Sequence, residues 1–246
     1  MASVHLRVLG CGDAFASGGR LNTCFYLEGD REPLLIDCGA TALVAIKRAG
    51  IEPGSIGWVA LSHLHGDHFG GVPWLILDGR FFGRTRPLEI TGPPTTRERL
   101  EQALEALYAG STEAESPFEL RFGELCERKP YQLGPAVVTP FEVVHGSGAP
   151  AYALRVEYGD RVITYSGDTE WTDSLIDAAR GADLLVCECN FFEKRVPGHL
   201  DYRTLEQKRT QLDCKRLLLT HMGQEMLERL KEVKLPVAAD GAELEV

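Results

Sequence analysis

The chain is a series of short apolar runs broken by polar turns. Val4–Leu9, Cys24–Leu27 and Leu34–Ile36 have strand length, and the polar stretch Glu28–Glu32 joins the last two. Over Ala40–Gly50 the apolar residues fall at helical spacing, and Gly50 suits the left-handed position just past a helix end. Trp58–Leu61 predicts a strand that runs directly into Ser62-His63. The middle is less regular. Leu88–Ile90 and Phe118–Phe122 are weaker strands around a helix from Thr95/Thr96 to Ala109, bounded by Pro93-Pro94 and Gly110.

The second half is again rich in strands. Val137–Val144, Ala151–Tyr158 and Arg161–Tyr165 alternate or run apolar, with Gly159-Asp160 as a two-residue hairpin turn. Ser174–Arg180, Tyr202–Thr210 and Gln224–Glu232 read as helices, and Leu184–Cys187 and Leu217–Thr220 as buried strands. Asp240-Gly241 turns into a last short strand. Clustered strands with helices between and after them predict an α+β fold. Two mixed sheets would pack face to face with helices outside, each half supplying one sheet. No linker or repeat interrupts the 246 residues, so 1–246 read as a single domain. Active residues are expected on loops at one end of the sheets.

Charge narrows the partners. With 26 Lys+Arg and 36 Asp+Glu the formal net charge is −10, which disfavours nucleic acid and favours a small substrate. No run approaches the roughly 20 apolar residues that span a bilayer, so no membrane role is expected. The opening MASVHLRVLGCGDAF lacks a basic segment followed by a long apolar run, and none of the seven Cys forms a CxxC pair. A cytoplasmic protein with free thiols is the expectation.

The candidate chemistry lies in the histidines. Three of seven fall in His63-Leu64-His65-Gly66-Asp67-His68, straight after the strand WVALS. His63 and His65 are two apart, so on extended backbone they point the same way. Asp67 and His68 follow a Gly, where a sharp turn aims a second pair of donors at a second ion. Burying four titratable groups without a metal is expensive, and imidazole with carboxylate suits Zn²⁺, Mn²⁺ or Fe. His145, Asp168 and His221 are each the first residue able to ligate after a buried-looking run. Of these only Asp168 is a carboxylate, the kind of donor that bridges two ions.

HxHxDH followed by a His, an Asp and a final His resembles the metallo-β-lactamase-fold metal-dependent hydrolase superfamily. The resemblance spans Gly10 to His221. It implies an αββα sandwich with two divalent ions, zinc expected and manganese or iron as alternatives. One ion would take His63, His65, His145 and Asp168. The other would take Asp67, His68, Asp168 and His221. Three further segments are similar to the phosphodiesterase branch, which includes ribonuclease Z and the phosphonate-pathway cyclic phosphodiesterase. They are LGCGDAFASGGRLNTC, LLVCECNF with Glu188, and PGHLDYRTL with His199. The branch implies that Glu188 orients His199 and that His199 assists protonation at the phosphate, and Asp67 is the candidate to orient the attacking water or act as its base. A metal-bridging hydroxide would be the nucleophile.

The chain departs from ribonuclease Z where a Ser or Thr follows the His by two residues. Here Asp201 stands, which also suits the N-cap of the next helix. No long Gly/Pro-rich insertion resembles the tRNA-gripping arm of that enzyme. The expected function is therefore hydrolysis of a small or cyclic phosphodiester or nucleotide. The alternatives are tRNA 3′ processing, with a homodimer supplying tRNA contacts, hydrolysis of a thioester or lactone, and non-catalytic metal binding. Around the site, the loop Gly10–Asn22 is read either as a phosphate cradle using Arg20 or as a plain connection. Ser147 and Gly148 either line the site or form a turn. Trp74, Phe81 and Phe82 either form a pocket wall or belong to the core.

Overall fold

The computed structural model describes residues 3–246. In chain order the elements are β1 (His5–Gly10), β2 (Cys24–Glu28), β3 (Leu34–Ile36), α1 (Ala42–Arg48), β4 (Trp58–Ala60), α2 (Gly66–Phe69) and α3 (Val72–Phe81). Then come β5 (Leu88–Gly92), α4 (Thr96–Leu107), β6 (Leu120–Glu124), β7 (Tyr131–Leu133), β8 (Ala136–Val143), β9 (Ala151–Tyr158) and β10 (Arg161–Tyr165). The chain closes with α5 (Ser174–Ala179), β11 (Leu184–Glu188), α6 (Tyr202–Lys208), β12 (Leu217–Thr220), α7 (Gln224–Glu228) and β13 (Glu243–Glu245).

The strands form two mixed sheets, in the orders β13-β1-β2-β3-β4-β5-β6 and β12-β11-β10-β9-β8-β7. Within the first, β3 to β6 run parallel. Within the second, β10, β11 and β12 run parallel. Alternation explains the layers. Leu6, Val8, Phe25, Leu27, Leu154, Val156, Leu184 and Val186 meet between the sheets. Their neighbours Cys24, Tyr26, Leu35 and Val59 face α1, α3 and α4, while Leu185, Cys187 and Leu219 face α5, α6 and α7. Strands buried on both faces read as continuous apolar runs, and that is why Leu184–Cys187 and Leu217–Thr220 stand out in the sequence. The result is an αββα sandwich.

Two expectations are corrected. The sheets do not divide cleanly between the halves, because β13 returns from the C-terminus to pair with β1 of the first sheet. The stretch Val72–Phe81, which shows no helical period in the sequence, is a ten-residue helix. Seven of its residues are buried, so it lacks the polar face that gives a helix its visible period. Among the described residues no helix is long and apolar enough to cross a membrane.

Parallel strands align their carboxyl ends, and loops leaving those ends converge. Asp37 follows β3, His63 follows β4, Asp168 follows β10 and His221 follows β12. Glu188 is the last residue of β11. The topology therefore gathers residues from both sheets at one rim.

Candidate metal centre

His63, His65 and His145 bring one donor atom each within 4.8 Å of one another, and so do Asp67, His68, Asp168 and His221. Asp168 lies between the two groups. Its Oδ2 is 3.3 Å from His68 Nε2 and 3.3 Å from His221 Nε2. The same oxygen is 3.8 Å from His63 Nε2 and 3.9 Å from His145 Nε2. Asp67 Oδ2 is 3.2 Å from His68 Nε2 and 3.1 Å from His221 Nε2. The turn after Gly66 is the single helical turn of α2, which carries Asp67 and His68.

The imidazoles are held from behind. His68 Nδ1 donates to Asp37 Oδ2 (2.7 Å), which leaves the Nε2 lone pair facing the cluster. His145 Nδ1 donates to the Gly198 carbonyl (2.8 Å), with the same consequence. Ser62 Oγ donates to Asp37 Oδ2 (2.7 Å) and lies 3.1 Å from His63 Nδ1. The Ser62 amide donates to Asp37 Oδ1 (2.7 Å), so Asp37 is the hub of the first-half donors. The Asn190 side-chain Nδ2 lies 3.1 Å from His221 Nδ1. Asp37, Ser62 and Asn190 escaped the sequence reading. Asp37 had a usable signal, since it too is the first polar residue after an apolar strand.

One brace and one donor sit on unusual backbone. Asp37 and His221 have φ of 57° and 56°, in the left-handed region that costs a non-glycine residue about 1 kcal/mol. Such conformations persist only where surrounding bonds over-determine them. Gly167, just before Asp168, has φ 59°, and a Cβ there would meet the Tyr152 carbonyl at 2.5 Å. Only glycine lets the chain turn at that point.

The donors fit a cation better than they fit one another. His63 Nε2 and Asp168 Oδ1 are buried without a hydrogen-bond partner. His145 Nε2 faces His65 Nδ1 at 3.0 Å, and His68 Nε2 faces His221 Nε2 at 3.3 Å. Nitrogen lone pairs turned on one another and on two carboxylates form the donor set of a borderline divalent metal. Electrostatics divide the two groups. Burial pushes His63, His65 and His145 below the usual imidazole value. Burial acts the same way on His221, but Asp168 and Asp67 overcome it and hold His221 up at about 9. Burial alone would raise Asp168, yet His221 and His68 keep it well below the usual carboxylate range.

His199 and Glu188 lie on the flank. His199 Nδ1 is 3.0 Å from Glu188 Oε1, and its ring stacks on His221 with centroids 5.8 Å apart. Glu188 is fully buried and accepts from the amides of Thr169 (2.6 Å) and Asn190 (3.3 Å). Burial opposes protonation of His199, but the Glu188 contact raises its pKa above the ordinary value.

Other candidates fall outside the centre. Asp201 caps α6, accepting from Thr204 N at 2.8 Å. Ser147 closes a turn by donating to the Ala149 carbonyl. In the loop Gly10–Asn22, Arg20 donates to the Ala238 carbonyl at 2.9 Å, and Asp13 accepts from Ser17 N at 2.8 Å. A Cβ on Gly10 would meet the Asn22 carbonyl at 2.0 Å, so that glycine serves close packing of the chain on itself. Phe81 and Phe82, each 77% exposed, lie outside the core, and the Phe82 ring faces Lys47 Nζ rather than the donors. Trp74 packs edge-on against Tyr108.

The family described as Anti-Pycsar protein Apyc1 matches residues 4–235. The chain belongs to that family. An uncharacterized protein of Mycobacterium leprae, ML1173, is 31% identical over 90% of this chain and 78% of its own. A ribonuclease Z of Methanothermobacter thermautotrophicus is 28% identical over 89% of this chain and 87% of its own. The metallo-β-lactamase fold protein YhfI of Bacillus subtilis superposes with a TM-score of 0.81 at 24% identity, covering all of both chains. The family member described here thus has the metallo-β-lactamase fold, and its relatives are consistent with the phosphodiesterase branch of that fold. It is a metallo-hydrolase with a His/Asp cluster able to bind metal.

Proposed function

We propose that this chain is a dinuclear phosphodiesterase acting on a small or cyclic phosphodiester. His63, His65, His145 and Asp168 would hold one divalent ion, and Asp67, His68, Asp168 and His221 the other. Zinc is the favoured ion, since imidazole and carboxylate make up the donor set. Such a pair supplies a nucleophilic hydroxide at neutral pH and positive charge for the phosphoryl oxygens.

The protein's own groups do the rest. Asp67 Oδ2 faces the cluster and orients the attacking water. Its charge is kept because His68 and His221 offset its burial and hold it below the usual carboxylate range. His199 donates a proton from Nε2 to the leaving oxygen, while Glu188 holds the proton on Nδ1. The Glu188 contact raises the pKa of His199 and so favours its acid form.

The observation that carries this reading is the Glu188–His199 pair, 3.0 Å apart on the flank of the donor cluster. The thiolate of a thioester leaves without a proton donor, so a thioester hydrolase gives this pair no role. The ribonuclease Z relative makes tRNA 3′ processing the second reading. The net charge of −10 favours the smaller substrate. The test is hydrolysis of bis(p-nitrophenyl) phosphate, a thioester and a precursor tRNA, with Zn²⁺ or Mn²⁺ supplied. Cleavage of the phosphodiester is expected. An inert phosphodiester beside a cleaved thioester would overturn the reading, and cleavage of the precursor tRNA alone would replace it with the second.

A further inference from the structure

The C-terminal segment lies beyond the family match, which ends at residue 235. It is stitched to two strands at once. The Leu219 amide donates to the Pro236 carbonyl (2.8 Å), and the Ala238 amide to the Leu219 carbonyl (2.7 Å). Three residues on, the Gly241 amide donates to the Val8 carbonyl (2.7 Å), and the Val8 amide to the Ala242 carbonyl (2.8 Å). The segment therefore bridges β12, which leads into His221, and β1, which leads into Cys11.

Asp240 sits between these contacts. Its Oδ1 accepts from the Cys11 amide (3.0 Å) and from the Cys11 thiol (3.2 Å). Its Oδ2 accepts from the Leu21 amide (2.7 Å). One carboxylate thus ties together both ends of the Gly-rich loop. Burial, with the Asp240 charge, pushes the Cys11 thiol up to about 12, so the thiol remains a donor. Arg20 adds a brace, donating to Cys11 Sγ (3.3 Å) and to the Ala238 carbonyl (2.9 Å).

Cys11 in turn reaches the centre. Its carbonyl accepts from the His221 amide at 3.0 Å, and Gly12 bridges to Met222 beside it. His221 is the donor whose backbone is left-handed, so its aim depends on such outside contacts. We propose that Asp240 is a positioning residue for His221, acting through Cys11, and that residues 236–246 thereby complete the centre. The role in metal binding rests on the reading of His221 as a metal donor. The role in fixing the His221 backbone does not.

The test compares Asp240→Ala and Asp240→Asn with Glu243→Ala, which alters β13 without touching the clamp. Amide hydrogen exchange and Zn²⁺ competition with a chelator are the two readouts. In Asp240→Ala the His221 amide is expected to exchange at least ~10-fold faster while Leu154 and Ile163 stay protected. One of two Zn²⁺ affinities is expected to weaken about 10-fold, with the other held within about twofold. An Asn keeps the acceptor toward Cys11 but offers an N–H₂ toward Leu21. In Asp240→Asn the Leu21 amide should therefore exchange faster while His221 stays protected, a contrast that survives if the Ala variant does not fold. Glu243→Ala should leave His221 unchanged. Unchanged His221 exchange in a folded Asp240→Ala protein, or equal loss at every amide, overturns the proposal. Two equally weakened Zn²⁺ affinities overturn its metal arm. A wild-type protein that binds no divalent ion would sink the proposed function, and the exchange comparison would still decide the clamp.

Discussion

Between Ser62 and His68 one continuous segment presents four candidate donors, His63, His65, Asp67 and His68. The second half presents three, His145, Asp168 and His221, from loops that follow three different strands. The first set is arranged by local backbone, an extended piece followed by one helical turn. The second set is arranged by register. β8 and β10 are both antiparallel to β9, and β10, β11 and β12 run parallel, so the residues after the carboxyl ends of β8, β10 and β12 arrive at one rim. Support differs as well. Asp37 braces Ser62 and His68 together by three hydrogen bonds. In the second half the two imidazoles have separate braces: Gly198 for His145 and Asn190 for His221. A local motif needs one shared anchor, whereas dispersed donors need one each.

The sharpest challenge to this comparison is Asp168→Ala. If one oxygen serves both halves, the variant should lose most bound metal and with it turnover. Metal content by elemental analysis checks this, and two equivalents retained would break the bridging assignment. Next in size is His199→Ala, expected to keep full metal content and lose turnover on a phosphodiester by roughly 10²-fold. Parallel loss of metal would make His199 a structural part of the second-half set. Asp37→Ala should weaken metal binding by about 10- to 100-fold, because it releases His68 and the Ser62–His63 contact together. Asn190→Ala frees a single ring and should cost less. Equal losses would erase the distinction between shared and separate anchors.

The smallest effect is a control at the opposite end of the second sheet. Asp183 precedes β11 and accepts from Lys215 Nζ (2.7 Å) and the Val162 amide (2.8 Å). Burial pulls its pKa up, but these two contacts outweigh it and hold the carboxyl below its usual value. A depressed folded-state pKa gives stability that is complete above the unfolded value near 3.9 and disappears as pH falls through the folded value. The thermal midpoint of Asp183→Asn should therefore trail wild type slightly at pH 7 and converge with it in acid. Metal affinity should not change.

Much of the architecture can be read from the apolar runs. Ala151–Tyr158, Arg161–Tyr165 and Leu217–Thr220 coincide with β9, β10 and β12. What escapes has a physical cause. α3 is buried nearly all round and shows no period. Asp37 is a lone carboxylate whose importance lies in three partners, two of them on Ser62, 25 residues away, and one on His68. Phe81 and Phe82 have the composition of a pocket wall or a core, but both side chains are exposed, and Phe82 faces Lys47. Asp240-Gly241 has the spacing of an ordinary turn, and only the return of β13 to the first sheet brings Asp240 onto Cys11.

The sequence by itself determined the kinds of element, the six-residue donor segment and the chemistry those donors favour. Those properties are local, set by side-chain period, by spacing along the backbone and by the affinities of imidazole and carboxylate. The tertiary structure alone decided which strand ends meet and which oxygen faces both donor groups. It also decided which residues brace the rings and that the C-terminus closes over the opening loop. Those properties depend on contacts between residues far apart in the chain, which come into being only when two sheets pack with their carboxyl ends on one rim.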